Sequence, residues 1–181
     1  IPQRGDKRKL LDLSLSNAKQ YKVDRLKRME KLNPEQRVMR TLMTMQRDFR
    51  LNELPRHVEC FDNSNIQGTN PVASCVVFKN AKPSKKDYRH FNIRTVEGPD
   101  DFASMKEVLT RRYTRLMEEG EELPQLVVVD GGKGQLSAAV EAFDEMGIRG
   151  KVALVGIAKR LEEIYFPGDS VPLYIDKNSE S

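Results

Sequence analysis

The sequence predicts an α/β fold in which a mixed five-stranded sheet is flanked by helices and preceded by a basic helical arm. Three observations carry this reading. Residues 57–95 hold three β-rich runs joined by short polar links. Residues 98–157 alternate helical spacing with two runs that are apolar throughout. Residues 1–50 show helical spacing and hold fourteen Lys and Arg against six Asp and Glu, whereas residues 51–181 hold seventeen against twenty-one. Strands in succession followed by helix–strand alternation give a sheet with both antiparallel and parallel neighbours.

The arm is taken as residues 1–54. A first helix is expected over about Arg8 to Lys31, with Leu11, Leu15, Ala18, Tyr21, Leu26 and Met29 as an imperfect apolar series. Asn33 and Pro34 punctuate the chain as the cap and first residue of a second helix that runs to about Arg50. Its Val38, Leu42, Met45 and Phe49 stand at i, i+4, i+7 and i+11, one apolar stripe. Arg37, Arg40, Arg47 and Arg50 make the other face, which suits either a polyanion or plain solvation.

Leu54-Pro55 breaks the helix, and residues 55–181 read as one domain. The first strand covers Val58 to Asn63, followed by a polar turn with Gly68. Val72 to Phe78 forms the second strand. Lys79 to Asp87 reads as a charged hairpin connection, and the third strand covers Tyr88 to Thr95. Gly98-Pro99-Asp100-Asp101 starts a helix whose buried stripe is read as Phe102, Met105, Leu109, Tyr113 and Leu116, with Lys106, Arg111, Arg112 and Arg115 as a basic flank. Gly120 ends it. Leu126 to Val129 is apolar throughout, as a central strand should be. The helix after it carries Leu136, Ala139, Val140, Phe143 and Met146 and ends at Gly147. Val152 to Ile157 is the fifth strand, and a hairpin follows over 163–175, turning at Pro167-Gly168-Asp169. In the order β-β-β-α-β-α-β the first strand can lie beside the fourth, which is the arrangement of the ribonuclease H-like fold.

That arrangement gives two acids a meaning. Asp62 and Asp130 each stand at the polar end of an apolar strand, where a carboxylate is costly unless something positive meets it. Side by side, the two could hold divalent metal for phosphoryl transfer. Asp62 alone reads equally as a turn-initiating residue. Strand alternation turns Val58, Cys60 and Asp62 one way and Glu59, Phe61 and Asn63 the other, so Glu59 is a poor partner for Asp62. Asp130-Gly131-Gly132-Lys133-Gly134-Gln135 lacks the spacing of a nucleotide P-loop; its glycines fit either a close phosphate or a tight turn. Lys133, Lys159 and Arg160 are candidate DNA contacts at the same sheet edge, and the latter two read equally as a strand-end salt bridge. His57 and His90 show no ligand spacing and read as incidental. Cys60 and Cys75, inside strands and without CxxC spacing, read as reduced core thiols of a cytoplasmic protein. No apolar run approaches the roughly 18–20 residues of a membrane helix, and the basic start has no signal-peptide core behind it. The chain lacks an initiator Met, which suggests a piece of a longer protein.

With Glu59-Cys60-Phe61-Asp62-Asn63-Ser64, Asp130-Gly131-Gly132-Lys133-Gly134-Gln135 and Gly156-Ile157-Ala158-Lys159-Arg160 in order, the chain resembles the UvrC family of bacterial excinucleases. Pro2 to Leu10 and Ala103-Ser104-Met105 extend the resemblance over the whole chain. It implies nucleotide excision repair, acting on damaged double-stranded DNA within a UvrB–DNA pre-incision complex. It further implies that this is the domain making the 5′ cut, while a separate N-terminal GIY-YIG nuclease makes the 3′ cut. The family's site is two aspartates, matched here by Asp62 and Asp130, and a histidine, together binding Mg2+ or Mn2+. The histidine belongs to a helix beyond Ser181, so the piece alone is expected to be weakly active or inactive. A ribonuclease H-like module kept for DNA binding or scaffolding is the alternative.

Overall fold

The computed structural model describes residues 5–64, 72–96, 100–158, 163–176 and 179–181, without the side chains of 29–32 and 64. The chain divides into two compact units, Ile1–Arg40 and Thr41–Ser181. In the first, α1 (Asp6–Leu32) is a long, largely exposed helix. Charged residues interrupt its apolar series, and exposed pairs such as Arg8–Asp12 at 3.2 Å brace its surface. The second helix, α2 (Pro34–Asp48), starts where Asn33 Oδ1 accepts from Gln36 N at 3.4 Å, and it ends in the second unit.

The second unit is built on a sheet of β1 (His57–Ser64), β2 (Val72–Lys79), β3 (Lys82–Pro83), β4 (Arg89–Asn92), β5 (Leu126–Asp130), β6 (Ala153–Ala158) and β7 (Glu163–Tyr165). The strand order is β3-β2-β1-β5-β6-β7, and β4 also pairs with β2. The β1–β2, β2–β3, β2–β4 and β6–β7 pairs are antiparallel; β1–β5 and β5–β6 are parallel. The expected meeting of the first strand with the apolar fourth run is therefore present and the fold is ribonuclease H-like, but the sheet has seven strands among the described residues and not the expected five, because the third strand is split and β7 adds an edge.

The third strand differs from the expectation. Asn80 and Ala81, at φ 51° and 56°, turn the chain sharply, so Lys82–Pro83 already pairs with β2. A 3-10 turn at Lys85–Asp87 follows, with Ser84 Oγ donating to Asp87 Oδ2 at 2.7 Å, and β4 then resumes the pairing. What reads in sequence as a loop and one strand is a split edge.

On one face of the sheet lie α3 (Asp101–Glu118) and α4 (Lys133–Glu145). The Asp100 carboxylate caps α3, accepting from Phe102 N at 3.0 Å and Ala103 N at 2.9 Å. Gly120 and Gly147, at φ 67° and 66°, end the two helices as the sequence suggests. Met105, Leu109, Tyr113 and Leu116 are buried against Phe61, Val127, Val129, Ala139 and Phe143. Phe102 does not join this stripe: it is 54% exposed. Its neighbour on α4 is Gly134, which has no side chain to enclose a ring. The basic flank of α3 is taken up in ion pairs, Lys106 to Glu145 at 2.6 Å and Arg111 to Glu107 at 2.9 Å among them. On the other face of the sheet, Phe49 joins Val58, Leu126, Val128, Val155 and Ile164 in a second buried cluster.

Candidate active site

Parallel register decides where the two aspartates stand. Along β1 and β5, Val58 is level with Leu126, Glu59 with Val127, Cys60 with Val128 and Phe61 with Val129. Asp62 and Asp130 are the next residue on each strand, at the carboxyl ends of two adjacent strands. Burial fixes their direction. Val58, Leu126 and Val128 belong to the second cluster, while Phe61, Val127 and Val129 belong to the cluster under α3 and α4. Alternation therefore turns Asp62 and Asp130 to the same face, that of the second cluster. Both are half-buried. Across the other neighbours, Asp62 is level with Ser74 and Asp130 with Ile157.

The turn after Asp130 is tied to the next strand, since Gly131 N donates to Ile157 O at 2.9 Å. Close approach explains its glycines. A Cβ on Gly131 would come within 2.5 Å of Gln135 Cδ. A Cβ on Gly156, inside β6, would come within 2.8 Å of Gly131 O and 3.2 Å of Leu136 Cβ. Gly156 is thus the floor on which the loop after Asp130 rests. Gly156→Ala should cost about 1–3 kcal/mol through overpacking and lower the thermal midpoint by several degrees. Thermal unfolding followed by circular dichroism measures this, and an unchanged midpoint would show that the loop shifts without cost.

Two carbonyl oxygens at this edge, Asn63 Oδ1 and Gln135 Oε1, are buried without a hydrogen-bond partner. Asn63 Nδ2 donates to Asp101 O at 3.0 Å, which places the start of α3, and Asp101 with it, level with the end of β1. In sequence Asp101 reads only as a helix-start acid; its place at this edge depends on a contact 38 residues apart. Lys133 lies in the first turn of α4, but its Nζ donates to Ser170 O at 2.7 Å and stands over the Tyr165 ring. Lys159 and Arg160 lie outside the described residues.

Glu59 is the residue whose importance sequence reasoning missed. It is fully buried on the α3 face. Its carboxylate accepts from Arg112 Nη2 at 2.6 Å, from Tyr113 Oη at 2.9 Å and lies 3.2 Å from His57 Nε2. Burial pushes the carboxyl up, but His57, Arg112 and Tyr113 together outweigh it and hold it down at about 2. His57 therefore serves the interior and is not incidental. The alternation rule did place Glu59 away from Asp62, but its partners Arg112 and Tyr113 are 53 and 54 residues away. The thiols are inert: burial raises Cys60 to about 11 and Cys75 further still.

The chain was compared with known proteins. A family profile described as UvrC RNAse H endonuclease domain matches residues 46–181. Over all 181 residues the chain is 64% identical to UvrABC system protein C of Flavobacterium johnsoniae and 64% identical to that of Porphyromonas gingivalis, and it spans 30% of the length of each. Among solved structures, endonuclease V of Ciona intestinalis in complex with DNA is similar at a TM-score of 0.42 and 20% identity, over 64% of this chain and 50% of that one. Among the described residues, no helix is long and apolar enough to cross a membrane.

Proposed function

This chain belongs to the UvrC RNase H endonuclease domain family, and we propose that it supplies the metal-dependent endonuclease that makes the 5′ incision in damaged double-stranded DNA during nucleotide excision repair. The observation that carries this reading is the register of β1 and β5, which sets Asp62 and Asp130 side by side on one face at the carboxyl end of the sheet. Asp62 and Asp130 would hold Mg2+ or Mn2+. Hard carboxylate oxygens suit these ions, and magnesium sites of this kind use one or two carboxylates with water and substrate phosphates completing the shell. Among the described residues, no group of three His, Cys, Asp or Glu stands ready to hold a metal.

A divalent ion bound there would supply Lewis-acid activation and charge neutralisation at the phosphodiester. Everything else falls to the chain. The aspartates are held by strand backbone on either side, so the carboxylates are positioned before substrate arrives. Gly132, with nothing within 4 Å of where a Cβ would stand, would let DNA approach the first turn of α4 closely. Lys133, Lys159 and Arg160 are proposed as its phosphate contacts, with Lys133 exchanging Ser170 O for DNA. The partner in the cell would be the UvrB–DNA pre-incision complex, reached through the full-length protein.

Manganese titration by calorimetry tests the site. The full-length protein should bind Mn2+ with affinity lowered at least about tenfold by Asp130→Asn. Equal binding by the wild type and by Asp62→Asn and Asp130→Asn would remove the aspartates from the metal site.

A further inference from the structure

Phe102 is where helical periodicity and the structure part company. All seven phenylalanines are described, and it is the exposed one. Its place is nevertheless fixed. The Asp100 carboxylate accepts from Phe102 N, which locks the backbone at the start of α3. The ring rests against the backbone of Gly134, where an added Cβ would come within 2.5 Å of Phe102 Cε1 and 2.6 Å of Cζ. Gly134 is in the first turn of α4, in the loop that begins at Asp130. Asn63, the residue after Asp62, holds Asp101 O at 3.0 Å, one residue before the ring. Sequence neighbours of both aspartates, Asn63 after Asp62 and Gly134 in the loop after Asp130, thus hold this exposed aromatic at the same carboxyl edge of the sheet, on its α3–α4 face. One side of the ring is taken by a glycine, which leaves the rest of it to solvent.

We infer that Phe102 is a stacking platform for a nucleobase of the DNA strand beside the cut. The inference rests on the reading of Asp62 and Asp130 as the nuclease site. Every base has a π-face, so stacking on an aromatic ring holds DNA without demanding a sequence. That property suits a nuclease that must cut wherever damage falls. An exposed phenylalanine also costs solvation for no gain in the free protein, and a base covering it removes that cost.

The test uses the full-length protein and lesion-bearing duplexes in which 2-aminopurine is placed in turn at each nucleotide flanking the 5′ cut. At one of these positions the wild type should change the fluorescence on binding. Phe102→Leu keeps an apolar side chain but loses the flat ring. It should lose that change and raise KM for 5′ incision about tenfold, with the thermal midpoint unaltered. Phe102→Tyr should restore both readouts. Gly134→Ala, by pushing the ring off its seat, should behave as Phe102→Leu does, and the two changes together should be no worse than either. Wild-type KM in Phe102→Leu would overturn the inference. So would slow cutting with the fluorescence response intact, because Phe102 would then act through α3 and not on a base. Asp130→Asn separates the two readings. If it abolishes the cut while Phe102→Leu has no effect, stacking alone fails; if it still cuts, the site itself fails.

Discussion

Asp130→Asn in the full-length protein should lower 5′ incision by about a thousandfold or more while leaving the 3′ cut in place. The size follows from the proposed two-carboxylate site, in which each carboxylate would supply half of the protein's charge toward the ion, and metal activation contributes several kcal/mol to such reactions. Asp62→Asn should do the same, and the double variant should be little worse than either, because the two are proposed as ligands of one ion and such ligands act as a unit. Asparagine preserves shape, so circular dichroism and the thermal midpoint should stay close to wild type. DNA labelled at each end reports the two cuts separately. Full 5′ incision by either variant would refute the assignment of Asp62 and Asp130.

The second large effect is on stability. Arg112→Met should destabilise the domain by about 3–5 kcal/mol, because it leaves the Glu59 carboxylate buried without its guanidinium partner. Glu59→Gln with Arg112→Met should recover part of that loss, since the uncompensated charge is then gone. The same cluster sets an acid limit. The Glu59 carboxyl is held at about 2 in the folded chain against an ordinary 4.5. Its contribution, of the order of 3 kcal/mol, is therefore present above pH ~4.5 and is lost as the pH falls toward 2. Urea unfolding at stepped pH measures this. The wild type should weaken steeply between pH 5 and 2, and Glu59→Gln should lack that part of the slope. Identical slopes would show that other carboxylates govern acid unfolding.

These two clusters were unequally legible in the sequence. The placement of Asp62 and Asp130 on neighbouring strands could be read because Asp130 ends an unbroken apolar run, Asp62 follows Cys60 and Phe61, and the element order brings the first strand to the fourth. These signals are local or topological. Glu59 could be placed on the opposite face by counting, but its partners Arg112 and Tyr113 lie 53 and 54 residues away, and no periodicity names them. Phe102 was misread for a different reason. Helical spacing continues through the first turn of α3 whether or not something apolar covers it, and here the cover is glycine. The split of the third strand was hidden because Lys79 to Asp87 looks like one charged connection; Asn80 suits the positive φ of the tight turn, but Ala81, which shares it, does not advertise it. The folded arrangement of α1 has its own lesson: its apolar residues follow no single stripe, and most of them lie exposed.

Gly156 has a consequence for anyone who maps this protein by genetics. It brings no side chain to the reaction, yet the carbonyl of Gly131 presses on it from above. A screen of random substitutions for lost repair in living cells would return Gly156 together with the aspartates. Hit frequency alone would then draw the active site one strand too wide. Abundance of the variant protein, scored beside repair, would sort the floor of the loop from the groups proposed to act on DNA.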